Sequence, residues 1–221
     1  MPNPYGHAMA CPYGERRIPE MAMKLTGGTA SGTNLFSVKG RDTRPAQARV
    51  RNSLFNILQG AFDGARVLDL YAGTGAVGLE ALSRGAASCL FVDQDRDCAD
   101  VIRKNLEKLR WLDRGRVVRA SVHQVDHYLP DPKEALDFVF VDPPYAVYRD
   151  PKDRPALIET VLRLAARGHL VPDGRMIFEN STGEGFTDAD LPGLTCEDRR
   201  RYHMTELSFF RRATSQNENH K

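Results

Sequence analysis

The chain has 221 residues, 41% hydrophobic and 27% charged, with a formal net charge of +2; that is room for one sizeable α/β domain and too little charge to mark a partner. No apolar run approaches the roughly 20 residues that cross a bilayer, and residues 1–20 lack a secretory-type apolar stretch. Cys11, Cys89, Cys98 and Cys196 are scattered with no CxxC, which argues against a disulfide framework or zinc site and for a reducing cytoplasm.

In chain order, residues 1–22 are rich in Pro, Gly, Met and charge and read as a disordered leader, with Met23 opening a pattern of its own. Short apolar stretches over 23–38, broken by Gly27-Gly28, Gly32 and Asn34, predict a small hairpin. Lys39, Arg41, Arg44, Arg49 and Arg51 then stand against a single acid, Asp42, a basic segment suited to phosphate or simply a solvated face. After Pro45, the spacing of Val50, Leu54, Phe55, Ile57 and Leu58 predicts a helix that Gly60 ends. These elements make residues 23–60 an extension ahead of the main domain, 61–212, with a polar tail at 213–221.

From Arg66 a regular alternation begins: strand 66–70, helix 75–84, strand 89–92, helix 95–109, strand 116–120, a short helix at 121–129, strand 136–141 and helix 155–167. Pro172-Asp173-Gly174 reads as a turn before a strand at 175–179. Two strands, 194–199 and 202–210, follow with no helix between them, and carry a second basic cluster of Arg199, Arg200, Arg201, Arg211 and Arg212. Strands alternating with helices imply a parallel sheet covered on both faces. The predicted fold is therefore α/β and Rossmann-like: a seven-stranded, mostly parallel sheet closed by an antiparallel C-terminal hairpin, the architecture of class I methyltransferases rather than of a dehydrogenase.

Three places carry chemistry. In Val67-Leu68-Asp69-Leu70-Tyr71-Ala72-Gly73-Thr74-Gly75-Ala76-Val77-Gly78 an apolar strand enters a glycine-rich turn and then a helix, whose N-terminal N–H groups are free to meet a ligand. Gly73, Gly75 and Gly78 also satisfy GxGxxG, a weak dinucleotide signal. Asp69 arbitrates, because a carboxylate there would crowd a pyrophosphate but can pair with the cationic amino-acid end of S-adenosylmethionine. The alternative for Asp69 is a strand-terminal acid that caps the turn. Asp93, closing Leu90-Phe91-Val92-Asp93, can accept from both ribose hydroxyls of a nucleoside ligand; Asp95 reads as a helix cap.

The third place decides between cofactors. Phe138-Val139-Phe140-Val141-Asp142-Pro143-Pro144-Tyr145 sets two prolines directly after a buried strand, which fixes an extended backbone and removes competing N–H donors. The Asp142 carboxylate and the Pro143 carbonyl can then accept both hydrogens of one amine, localising a lone pair otherwise delocalised into a base ring. Tyr145 offers a face for that base, worth about 1–3 kcal/mol. His123 and His127, at i, i+4 spacing, have no third ligand nearby, so no metal is expected.

These residues resemble the bacterial small-subunit (16S) ribosomal RNA guanine-N2 methyltransferases of the RsmD type. The likeness runs from about Met23 to Arg212. It rests on Met23-Lys24-Leu25 with Gly27-Gly28, Arg44-Pro45, Arg49-Val50-Arg51, Leu54-Phe55-Asn56, Leu68 through Gly75, Gly78 through Ala86, and Asp142-Pro143-Pro144-Tyr145. The resemblance implies an enzyme whose cofactor, S-adenosylmethionine, is lined by Asp69, Tyr71, Ala72, Gly73, Thr74, Gly75, Asp93, Gln94, Ser121, Val122 and Asp142. It implies catalysis at Asp142, Pro143, Pro144 and Tyr145. RNA contacts would come from Lys39, Arg41, Arg44, Arg49, Arg51 and Asn56. The implied partner is small-subunit ribosomal RNA or the assembling 30S particle, met by a cytoplasmic monomer without metal or membrane.

The sequence departs from that family at Ala46, Ala48 and Asn52, where relatives carry Thr and acids beside the active site. It also departs at Ser121-Val122, where they carry an acid or amide that reads adenine, and at Tyr202-His203, where they carry Tyr-Gly. Three other readings stand beside this one: an amino-methyltransferase acting on adenine N6 in DNA or another RNA, a small-molecule or protein-amide methyltransferase, which would not need the basic segment at 39–51, and a non-catalytic ribosome assembly factor that keeps the fold.

Overall fold

The computed structural model describes residues 19–38, 45–129, 134–166 and 168–212. Seven strands form the main sheet in the order β5-β4-β3-β6-β7-β9-β8. Strands β3 (Arg66–Leu70), β4 (Ser88–Asp93), β5 (Gly115–Arg119), β6 (Leu136–Val141) and β7 (Leu170–Ser181) run parallel, and β8 (Leu194–Tyr202) and β9 (Thr205–Arg212) add the antiparallel pair. Each central strand is almost continuously apolar because both of its faces are covered. Val67, Phe91, Phe138, Phe140, Ile177 and Phe209 enter one core cluster. Leu68, Leu70, Val92, Val139, Val141, Phe178 and Phe210, alternating with them, enter the other.

The first cluster is covered by α1 (Pro45–Ile57), α2 (Ala76–Ser83) and α3 (Arg96–Leu109), and the second by α5 (Asp153–Ala166). Phe55 of α1 meets Phe62 at 5.2 Å and Phe140 at 6.2 Å between ring centroids, which fixes the helix over the end of β6. The two-stranded hairpin of β1 (Pro19–Lys24) and β2 (Asn34–Val38) is tied to the helices by buried polar groups. Glu80, fully buried, accepts from Thr26 N–H at 2.9 Å and Thr26 Oγ1 at 2.8 Å and pairs with Arg84 at 2.8 Å. Asn105 bonds both the N–H and the carbonyl of Phe36, each at 2.8 Å.

Three expectations are corrected and one element is added. The first strand begins at Pro19, inside the expected leader, since Pro is tolerated as the first residue of a strand; residues 1–18 lie outside the described residues. Residues 121–129 hold only a single 3-10 turn, Val125–His127. Pro172-Asp173-Gly174 is not a turn ahead of the strand: β7 begins at Leu170 and runs through it as a bulge, its partners moving from Leu136↔Leu170 to Phe138↔Arg175. A short helix, α4 (Tyr145–Arg149), follows the two prolines, and its 5 residues are too few to show a helical period in sequence.

The chain winds outward through β3, β4 and β5, then returns to β6 on the other side of β3. At that reversal the loops leave in opposite directions and open a crevice at the carboxyl ends of the strands, where ligands of such sheets bind.

Candidate active site

One wall of the crevice is the turn between β3 and α2. Tyr71, Gly73 and Gly75 all have positive φ, at 58°, 55° and 82°. At Gly75 a Cβ would lie 2.9 Å from Ile102 Cγ1, and at Gly78 one would lie 2.3 Å from Phe91 Cε1, so the turn cannot be built with side chains there. Asp69 is 2% exposed and its Oδ2 accepts from Gly78 N–H at 2.9 Å. That is the capping role: the acid secures the first turn of α2 against the strand.

Asp93 is equally committed. Its Oδ2 accepts from Gly73 N–H at 2.7 Å and its Oδ1 from Asp95 N–H at 2.8 Å. Asp95 in turn caps α3, accepting from the N–H groups of Asp97 and Cys98. Ala120 N–H donates to the Asp93 carbonyl at 3.1 Å, which brings the start of the next loop alongside. There Ser121 Oγ accepts from His123 N–H at 3.4 Å, Val122 is buried, and Gln94 is exposed at the rim. Asp69, Tyr71, Ala72, Gly73, Thr74, Gly75, Asp93, Gln94, Ser121 and Val122 thus gather at one edge.

Two hydroxyls in this wall, Tyr71 OH and Thr74 Oγ1, are buried without a hydrogen-bond partner. Burial, with Asp153 and Asp93 nearby, pushes the Tyr71 phenol well above its usual value, so it is neutral and able to donate. Orphaned buried hydroxyls are uncommon and cost about 1–3 kcal/mol each, so their presence beside the N-terminus of α2 fits a polar ligand such as S-adenosylmethionine.

The other wall is the carboxyl edge of β6 and β7. Asp142 is exposed, Pro143 buried, and Pro144 stands at the N-cap of α4. Tyr145 is 40% exposed and its hydroxyl meets Thr205 Oγ1 at 3.2 Å. Val141 is opposite Phe178 in the last pair of that ladder, so Asp142 and Glu179 follow it side by side, and Glu179, alternating with Ile177, lies on the face that α1 covers. Burial pushes the Glu179 carboxyl up to about 7, against the pull of Arg51. Tyr148 OH donates to the Glu179 carbonyl at 3.0 Å, and both Asp142 and Glu179 help raise its phenol beyond what burial does.

Glu179, Tyr148 and Thr205 were not singled out from the sequence. A signal existed for the first: β4, β6 and β7 each lead an apolar run into an acid at the carboxyl edge, Asp93, Asp142 and Glu179.

Of the predicted RNA-contacting residues, Lys39, Arg41 and Arg44 lie outside the described residues. Arg49 and Asn56 are exposed on α1, seven positions apart and so on one helix face. Arg51 does not present a free cation to solvent: it is half-buried, donates to the Lys24 carbonyl at 3.4 Å and faces Glu179. The second basic cluster is neutralised internally. Arg199 and Arg201 both pair with Glu206, Arg200 with Asp198, and Arg211 with Asp173 and Glu197, while Arg212 donates to the Leu170 carbonyl. His123 Nδ1 meets Thr160 Oγ1 at 2.9 Å and His127 is exposed, and among the described residues no group of His, Cys, Asp and Glu could hold a metal. No helix among the described residues is long and apolar enough to cross a membrane.

Residues 23–211 match the family model described as conserved hypothetical protein 95. The chain is 33% identical over 163 residues to the ribosomal RNA small subunit methyltransferase D of Escherichia coli K12, covering 74% of this chain and 77% of that one. A Bacillus subtilis chain, YlbH, described as an rRNA methyltransferase, is 37% identical over 123 residues, 56% of this chain and 67% of that one. Among solved structures, an Escherichia coli chain described as a methyltransferase, yhhF, superposes with a TM-score of 0.71 at 30% identity, over 86% of this chain and 97% of that one.

Proposed function

This chain belongs to the family of ribosomal RNA small subunit methyltransferase D, and from that premise we propose that it methylates the exocyclic N2 of a guanine in small-subunit ribosomal RNA, using S-adenosylmethionine. The observation that carries the reading is the pairing of an exposed Asp142, after a buried strand and before two prolines, with a glycine-rich wall that retains orphaned hydroxyls. When bound, S-adenosylmethionine supplies an already activated methyl group. The remaining work is placement, which supplies most of the acceleration in such a transfer.

The residues divide that work. Tyr71, Thr74 and the first turn of α2 hold the cofactor's polar end, with Asp69 keeping the turn in shape. Asp93 braces Gly73 and turns its remaining lone pairs toward the ribose. The target base leaves its stack at a cost of a few kcal/mol, partly recovered on the Tyr145 ring. The Asp142 carboxylate and Pro143 carbonyl accept the two N2 hydrogens, align the lone pair, and Asp142 takes the proton released on transfer. Arg49, Asn56 and the basic residues 39–44 hold phosphate, which orients the RNA without reading its sequence. The protein works in the cytoplasm as a monomer, on small-subunit RNA alone or within the assembling particle.

The test uses labelled S-adenosylmethionine, small subunits from cells lacking this gene, and nucleoside analysis, with wild type and Asp142→Ala side by side. Label in N2-methylguanosine, lost in the variant, is the expected result. Cofactor binding without RNA label would overturn the substrate assignment.

A further inference from the structure

We propose that Glu179 is the specificity-determining residue of this site, its carboxylate accepting the ring N1–H of the base whose N2 lies against Asp142. The inference rests on the functional reading above and extends it to base choice.

The argument begins with register. Glu179 follows Phe178 as Asp142 follows Val141, the last pair of the β6–β7 ladder, so the two acids leave that ladder side by side. Tyr148, in α4 just after the prolines, donates its hydroxyl to the Glu179 carbonyl at 3.0 Å and feels the charge of both acids. On the α1 side, the positive charge of Arg51 pulls against the raised Glu179 carboxyl, while Arg51 Nε and Asn52 Oδ1 are buried with no hydrogen-bond partner. Two orphaned polar atoms on adjacent residues point to a ligand that the protein does not itself provide.

The chemistry of the pair selects the ligand. An ionised carboxylate only accepts hydrogen bonds. Guanine presents N2–H and N1–H side by side on its Watson–Crick edge, a row of donors that two neighbouring acceptors match. Adenine presents an amine beside an N1 lone pair, which Glu179 would repel. A site built to bond a substrate N–H discriminates strongly, because its own buried group is left unpaired by the wrong base. Burial has already raised the cost of that group's charge, to a pKa of about 7. The charged and titratable groups around it are Arg51 from α1, Asp142 from β6 and Tyr148 from α4. On β9 its register partner is the apolar Leu207, and Glu206 is turned away into its pairs with Arg199 and Arg201.

The experiment measures kcat/KM for methyl transfer into unmodified small subunits across the neutral pH range, for wild type, Glu179→Gln and Glu179→Asp, alongside the affinity for S-adenosylmethionine. The expected wild-type rate into guanine rises with pH as Glu179 ionises. Glu179→Gln lowers kcat/KM on the order of 100-fold and flattens that rise, with cofactor affinity within about twofold of wild type. Glu179→Asp recovers part of the rate and the pH dependence. A Gln variant that keeps the wild-type rate or its pH rise overturns the inference, as does loss of cofactor affinity in both variants, which would make Glu179 structural. Wild type that labels adenine, or no base at all, overturns the functional reading itself and takes this inference with it.

Discussion

The two walls of the crevice are finished to different degrees. On the glycine-rich side, the acids at the strand ends are bonded to backbone: Asp69 to Gly78, Asp93 to Gly73 and Asp95. The loop they brace holds its shape before any ligand arrives. On the β6 and β7 side, Asp142 and Tyr145 are exposed, and Arg51 and Asn52 keep buried polar atoms without partners. Both walls keep buried polar atoms without partners, Tyr71 OH and Thr74 Oγ1 on the first and Arg51 Nε and Asn52 Oδ1 on the second, so the walls differ in how their acids are placed: braced to backbone at Asp69 and Asp93, exposed at Asp142.

The contrast can be broken by exchange of roles. Asp142→Ala should lower the transfer rate on the order of 1,000-fold while changing cofactor affinity far less; calorimetric titration showing lost cofactor binding would mean that the walls are not separate. Glu80→Ala should cost about 3 kcal/mol of stability, read by chemical denaturation, because it strands Arg84 and the Thr26 N–H together. Asp93→Ala should act oppositely to Asp142→Ala, weakening the cofactor about 30-fold with less effect on the rate at saturation.

Stability against pH sharpens the picture further. The Glu179 pKa is raised from 4.5 to about 7 by burial, so its neutral form favours the fold below the unfolded value. That contribution is lost as pH rises through about 7. Thermal unfolding of Glu179→Gln should therefore lack the decline that wild type shows across this window. Tyr145→Phe should be the mildest change, within about threefold in rate, since it removes the hydroxyl contact with Thr205 and keeps the stacking ring.

Most of the sheet was legible because buried parallel strands are apolar throughout and their helices carry a clear period, as in Leu157, Val161 and Leu164. The glycine turn and Asp142-Pro143-Pro144-Tyr145 were legible because backbone geometry restricts which residues fit. What escaped were features set by neighbours in space. The bulge at residues 172–174 is accommodated by β6 pairing on one side, where local turn chemistry alone reads as a stop. The inward role of Arg51 depends on a strand more than a hundred residues away, and the pairing of Arg199 and Arg201 with Glu206 on a neighbouring strand. From sequence, each of these looked like a cation free to meet phosphate.

One consequence of the α2 connections concerns how order spreads through the molecule. This helix begins at Gly75 and ends where Ser83 bonds Gly27, Thr29 and Ala30 of the hairpin, with Glu80 gripping Thr26 between. At about 1.5 Å per residue it is a rod of about 12 Å, too short to bend. Its two ends therefore cannot shift independently: a change that frees the hairpin from Glu80 or Ser83 also loosens the helix that Asp69 holds against β3.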